Sequence, residues 1–384
     1  MTPQARVAAA IDILDQIAGG AWAEPSLLRW SRSSRFAGSG DRAAVRDLVF
    51  DALRRREAYA ALGGGHGGRC LMLGRIRHDG GDPDQIFNGA GHAPAPLTKA
   101  ERLAGMAPDR VQSMNLPEWV LPLWDTALGR EAQPVALAMA DRAPVWLRAN
   151  LAKVTPDQAM VALAEDGIAV RSDPRLPSAL EVVSGERRIG GSRSYRDGLV
   201  ELQDLSPQLA CAALPLVAGQ SVLDYCAGGG GKALAVAAGF RVSVDAHDAD
   251  PARMADLPAR ATRAGTPIRP VARPQGAYDL VITDVPCSGS GTWRRSPDAK
   301  WRLDRRSMDS LLNIQSNIMD EVVPLVRRMG YLAYMTCSVL VEENDGQAQA
   351  FLTRNPDFTQ VIRRQWTPLD GSDGFFLSLF QRQG

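Results

Sequence analysis

Cys287 and Cys337 each stand just past a strand-like run, in the sequences DVPCSGSGT (284–292) and TCS (336–338). A lone buried cysteine is usually a small hydrophobe, and that reading suffices for Cys70 and Cys211. Two thiols on polar loops rich in glycine and serine point instead to nucleophilic or acid–base work. A third motif, DYCAGGGGK (224–232), lies between a strand-like and a helix-like run. Consecutive glycines permit positive φ and let the backbone come close to a ligand.

Three chemistries compete for that turn. A phosphate-binding P-loop needs Ser or Thr after the lysine, and Ala233 follows Lys232; the upstream glycine position is Cys226. A dinucleotide fingerprint fits loosely through Gly228, Gly230 and Ala233, with Asp248 placed to hold a ribose. An S-adenosylmethionine site fits better. Asp224 at the strand end suits an ammonium and sulfonium ligand more than a pyrophosphate, and Asp248 after the next strand suits ribose hydroxyls. Cys226 is expected to contribute backbone rather than sulfur.

The elements that position these motifs are legible from residue 206 onward. Strand-like runs at 221–223, 241–246, 280–283 and 331–335 alternate with helical runs at 233–238, 251–264 and 310–326, which predicts a parallel sheet covered on both faces. Ligands of such sheets sit at the carboxyl ends of the strands, where all three motifs fall. Before it, residues 145–151, 168–171 and 180–183 read as strands around a helix at 156–164. The first segment reads as helical, through Val7, Ile11, Leu14 and Ala18, then Val45, Leu48, Val49 and Ala52, with Asp41 as a cap. Residues 78–96, rich in Gly, Pro and Asp, read as a loop or linker, and helical signal returns at 118–128 and 134–140.

The chain has 384 residues, 45% of them hydrophobic and 23% charged, with a net charge of +1. That composition excludes a disordered chain, and no apolar run reaches the roughly 18 residues of a membrane helix. The N-terminus lacks a secretory h-region, and five scattered cysteines suggest free thiols in a reducing, cytoplasmic compartment. With four histidines and no CxxC, no metal site is expected. Only four residues are lysine, and two of them, Lys232 and Lys300, fall inside the densest motifs. From 293 to 306 six basic residues, including Arg294, Arg295, Lys300 and Arg302, face two acidic ones, with Trp293 and Trp301 interleaved. Phosphate contacts beside stacking platforms suit single-stranded or flipped RNA bases. Arg54, Arg55 and Arg56 form a second basic cluster that reads equally as a solvated helix end.

Taken together, LDYCAGGGGK, DVPCSGSGTWRRSPDAKWR, YMTCSVLVEEND and the late DGFF resemble the Nop/Sun family of RNA cytosine-5 methyltransferases, and within it the bacterial Sun or Fmu type. The resemblance covers nearly the whole chain, and the paired cysteines are its specific part. It implies an α/β fold with a Rossmann-like, mostly parallel methyltransferase domain at 206–384. A small α/β RNA-binding subdomain at 136–205 and an all-α NusB-like domain at 1–135 would precede it. It implies 5-methylcytosine formation in small-subunit (16S) ribosomal RNA, or in an assembly intermediate of the subunit, by a monomer using S-adenosylmethionine. On this resemblance Cys337 is the nucleophile, Asp284 holds the cytosine edge and Cys287 helps release the product. Cofactor contacts fall to Cys226, Ala227, Gly228, Gly229, Gly230, Gly231, Lys232, Asp248, Arg253 and Asp284. RNA contacts fall to Arg294, Arg295, Lys300 and Arg302, with Lys300 and its arginine neighbours also supplying a positive field for the thiolate. Two departures stand out. Gly229 replaces the family's usual proline, and residues 268–275 lack its acidic residue after the third strand. Transfer RNA as the substrate, or a non-catalytic ribosome-assembly factor, are the alternative readings.

Overall fold

Helix Pro3–Ala18 starts at Thr2, whose hydroxyl accepts the Ala5 N–H, and Pro3 occupies the first turn where no amide hydrogen is missed. Its buried Val7, Ala10, Ile13 and Leu14 pack on Val45, Val49 and Leu53 of helix Ser39–Arg54 and on Leu71 and Met72 of helix Gly68–His78. This is the core of the first of two compact units in the computed structural model, which describes residues 1–384. The first unit comprises Met1–Arg142 and Trp293–Leu303; the second comprises Ala143–Thr292 and Asp304–Gly384. The division therefore differs from a simple series of three blocks. The chain leaves the second unit after Thr292, contributes eleven residues to the helical unit, and returns at Asp304.

The stretch 78–96 is not a free linker. It holds a short helix, Pro83–Ile86, and buries Phe87 in the helical core, where Leu97 follows it. Its glycines and prolines set turns, while a few apolar anchors fix their position. Asp41 sits inside helix Ser39–Arg54 rather than before it, and its carboxylate accepts the Gly38 N–H from the third helical position.

In the second unit, Trp146–Ala149 (β1), Ala169–Asp173 (β2), Leu176–Ser184 (β3) and Val200–Leu202 (β4) form an antiparallel sheet in the order β2-β3-β1-β4. Helix Pro156–Glu165, opened by a Thr155–Gln158 capping box, packs Ala159 and Leu163 against Leu147 and Leu180 of that sheet.

The larger sheet contains Ser221–Asp224 (β5), Ser243–Ala246 (β6), Ile268–Pro270 (β7), Tyr278–Asp284 (β8), Val326–Thr336 (β9), Phe358–Trp366 (β10) and Phe375–Arg382 (β11). Its order is β10-β11-β9-β8-β5-β6-β7, parallel from β7 to β9, with β11 antiparallel to both its neighbours. Both faces are buried, as parallel sheets require. Val222, Leu280 and Ala333 point to one face, against Ala233 and Val236 of helix Gly231–Phe240. Leu223, Val281 and Leu332 point to the other, against Met319 and Val322 of helix Arg305–Val322. From β5 the chain runs outward to β6 on one side and resumes at β8 on the other. The crevice this reversal opens is the expected ligand position, and Asp224 and Asp284 end the two strands that flank it. The β10–β11 hairpin, which alternation from residue 206 did not reveal, completes the sheet beside β9.

Candidate active site

The glycine turn leaves β5 and enters helix Gly231–Phe240. Gly228 has φ +48° and Gly230 φ +80°, the left-handed region that favours glycine. At Gly230 space matters as well, because a Cβ there would lie 2.2 Å from the Leu257 side chain. Asp248, buried after β6, accepts the Gly228 N–H at 2.9 Å and pairs with Arg253 at 3.2 Å. The acid expected to hold a ribose thus also pins the turn. Just beyond β7, where no acid stands, the Val271 N–H bonds the Ala246 carbonyl at 2.8 Å, and His247 lies against the Tyr225 ring at 4.8 Å.

Below the turn lie two carboxylates and one ammonium. Lys232 pairs with Asp284 at the end of β8 and lies 5.3 Å from the centre of the Phe375 ring. Burial works against the Lys232 ammonium, but the Asp284 charge and hydrogen bond outweigh it and hold it above the usual lysine range. Asp224 is 1% exposed, and burial pushes its carboxyl up to about 7 despite the nearby Lys232. One oxygen accepts the Ala233 N–H at 3.1 Å; the other is buried with no hydrogen-bond partner. A buried carboxylate oxygen without a donor, beneath a turn lined by glycine, suits a cationic ligand group. The Cys226 thiol is driven upward by burial and then by the Asp224, Asp284 and Asp248 charges, in keeping with a backbone role.

The loops after β8 and β9 bring Cys287 and Cys337 together, with their sulfurs 3.3 Å apart. The hydrogen bond to Cys337, followed by burial, holds the Cys287 thiol well above the ordinary range. The loops are held by polar groups that composition alone did not single out. Glu343, fully buried, accepts the Ser288 N–H at 2.7 Å and the Gln315 amide at 3.0 Å. Ser290 and Ser338 hydroxyls meet at 2.8 Å, and Asn344 accepts from Thr336 at 2.6 Å and donates to the Ser338 carbonyl at 2.9 Å. The Glu342-Glu343-Asn344-Asp345 run in the sequence was the available signal, but a run of acids normally reads as a solvated face.

The structure brings together Cys226–Lys232, Asp248, Arg253, Asp284, Cys287 and Cys337 in the second unit. Of the expected RNA segment, the structure corrects Lys300 and Arg302 and leaves Arg295 exposed. Lys300 is 2% exposed inside the helical unit, and its ammonium donates to the main-chain carbonyls of Arg54 (3.0 Å) and Asn115 (2.7 Å). With its ammonium buried and taken up by two carbonyls, Lys300 does not present it to a phosphate, and burial pushes its pKa down to about 7. Arg302 donates to the Gly20 carbonyl at 3.0 Å and also to that of Ala21, and covers the Trp22 ring at 4.1 Å. Arg294 is 4% exposed and its carbonyl accepts from Arg54 at 2.7 Å; Arg295 is exposed. Trp293 stacks on Trp124 in the core at 5.9 Å, and Trp301 donates to the Leu53 carbonyl at 2.8 Å beneath Arg56. Main-chain carbonyls at the ends and bends of the neighbouring helices accept these cations, so the segment stitches the helical unit. No cluster of three or more His, Cys, Asp or Glu forms a metal site.

Residues 211–380 match the family model for the 16S rRNA methyltransferase RsmB/F, and residues 116–186 match its ferredoxin-like domain. The chain is similar to the ribosomal RNA small subunit methyltransferase B of Xanthomonas campestris, 30% identical over 335 residues that cover 81% of this chain and 73% of that protein. To the same-named protein of Cronobacter sakazakii it is 34% identical over 251 residues, 63% of this chain and 58% of that protein. The chain thus spans less than two thirds of the length of the first such relatives. The crystal structure of PH0851 shares the fold, with a TM-score of 0.75 at 20% identity over 100% of this chain and 99% of that one.

Proposed function

The chain belongs to the 16S rRNA methyltransferase RsmB/F family, and from that premise we propose that it forms 5-methylcytosine in small-subunit ribosomal RNA. The 3.3 Å approach of the Cys287 and Cys337 sulfurs at the ends of adjacent strands is the observation that carries this reading. S-adenosylmethionine supplies the electrophilic methyl group. The glycine turn and the Asp224 oxygen without a donor fit its ammonium and sulfonium ends, with Asp248 and Arg253 toward the ribose.

Carbon 5 of cytosine is a poor nucleophile. The Cys337 thiolate adds to carbon 6, making carbon 5 an enamine carbon able to accept the methyl group. Asp284, oriented by Lys232, holds the cytosine edge and favours protonation of the ring nitrogen as the adduct forms. Cys287, poised beside Cys337, helps eliminate the product: the carbon 5 proton is lost to a base, the double bond between carbons 5 and 6 re-forms, and the Cys337 sulfur leaves carbon 6 as thiolate. Phosphate contacts fall to the exposed Arg187, Arg188, Arg193 and Arg196 around helices Glu186–Gly191 and Arg193–Arg196, in place of Lys300 and Arg302.

The test is transfer of labelled methyl from S-adenosylmethionine to unmodified small-subunit ribosomal RNA, followed by digestion to nucleosides. Label in 5-methylcytosine is expected. Label only with transfer RNA would move the target, and no label together with no cofactor binding would favour an assembly factor.

A further inference from the structure

Residues 228–231 are four successive glycines, and Asp248 holds only the first of them, through the Gly228 N–H. Glycine loses more conformational freedom on ordering than any other residue, so a bare tetraglycine turn would populate its binding shape only part of the time. Apparent affinity falls in proportion to that fraction. Two carbonyls of the turn are, however, held from outside. The Gly229 carbonyl accepts from Arg260 of helix Leu257–Ala264. The Gly231 carbonyl accepts from Arg148 of β1 at 3.0 Å and from Gln203, just past β4, at 3.3 Å.

Arg260 is itself fixed. Its other terminal nitrogen lies 2.9 Å from the carboxylate of Glu201, a β4 residue whose side chain is 2% exposed. The second oxygen of Glu201 pairs with Arg263, one helical turn along. Arg263 does not reach the turn; its guanidinium covers the Tyr195 ring at 4.4 Å. A buried carboxylate between two arginines costs desolvation, so packing alone is a weak reason for it. A carboxylate that aims one arginine at a glycine carbonyl has a positioning use.

We propose that Arg260, oriented by Glu201 of the small sheet, is a positioning residue that locks the 228–231 turn in its cofactor-binding shape. The role in cofactor binding rests on the methyltransferase reading; the order imposed on the turn does not. Arg263 provides the internal comparison, since it shares the Glu201 partner and lacks the turn contact.

The experiment compares R260M and R263M in the full chain. Each leaves Glu201 with one arginine, so melting temperatures should fall by similar amounts. Calorimetric titration with S-adenosylmethionine should show binding about tenfold weaker in R260M, the loss of one charge-assisted hydrogen bond, and nearly unchanged in R263M. In assays with RNA, KM for the methyl donor should rise in R260M while kcat at saturation stays within about twofold. Hydrogen exchange on the ligand-free protein should be faster across 226–232 in R260M than in R263M. Equal weakening of binding by both variants, or unchanged turn exchange in R260M, would overturn the proposal. A wild-type protein that binds no S-adenosylmethionine yet shows the exchange contrast would retire the cofactor reading and leave the lock standing.

Discussion

Residues 284–292 and 293–303 are neighbours in the chain, and both carry side chains able to meet a nucleic acid. In the first stretch Asp284 and Cys287 stay partly exposed around the crevice, with Lys232 and Cys337 as partners. In the second, Lys300, Arg302 and Trp293 turn into the helical unit and satisfy carbonyls or pack on Trp124. The difference teaches that cations interleaved with tryptophans specify a need for acceptors and apolar cover without saying who provides them. RNA phosphates and bases are one supplier. The bends of a helical bundle, with orphan carbonyls and stacked rings, are another.

The comparison can be broken most sharply at the thiols. On the proposed mechanism, Cys337→Ala should lower methyl transfer by at least about 10³-fold. Cys287→Ala should instead accumulate a protein–RNA adduct, seen as a denaturant-resistant gel shift. A Cys337→Ala protein with near-normal rate would remove the first stretch from the chemistry.

At Lys300 the effect should be on stability. Its folded form loses the proton at about 7, against an ordinary 10.5, so between those values the unfolded chain binds the extra proton. Stability from this group therefore rises with pH across that window, and the burial cost is fully present below it, with a span on the order of 5 kcal/mol. Denaturant unfolding of wild type and Lys300→Met from pH 7 to 10 should show this slope in the difference, with RNA affinity unchanged. A loss of RNA affinity in a stably folded Lys300→Met protein would return the segment to the substrate surface.

Replacing Arg187, Arg188, Arg193 and Arg196 by serine should do the reverse. Stability should hold, while RNA binding weakens and its log–log salt dependence becomes shallower by roughly 3. Filter binding from low to moderate salt measures this.

The smallest expected effect lies at Asp224. Its raised folded pKa means the carboxyl is neutral below about 7 and anionic above it. A cationic methyl donor should bind more tightly as pH rises through 7, by up to about tenfold, while Asp224→Asn stays flat. The stability that this protonated carboxyl contributes runs the other way, lost as pH rises from 3.8 toward 7.

The strand ends, the glycine turn and the two cysteine motifs were readable in the sequence because they are local. Alternation of apolar runs fixes where β5, β8 and β9 stop, and a residue just past a stop must face the ligand edge of the sheet. Membership of the family was likewise carried by contiguous motifs. The tertiary structure alone decided which cations meet solvent. Lys300 finds carbonyls nearly 250 and 185 residues away, and Glu201 meets Arg260 and Arg263 about 60 residues along. Such partners leave no local pattern. A charged side chain reads the same in the sequence whether water or a distant main-chain oxygen satisfies it, and only folding chooses between them.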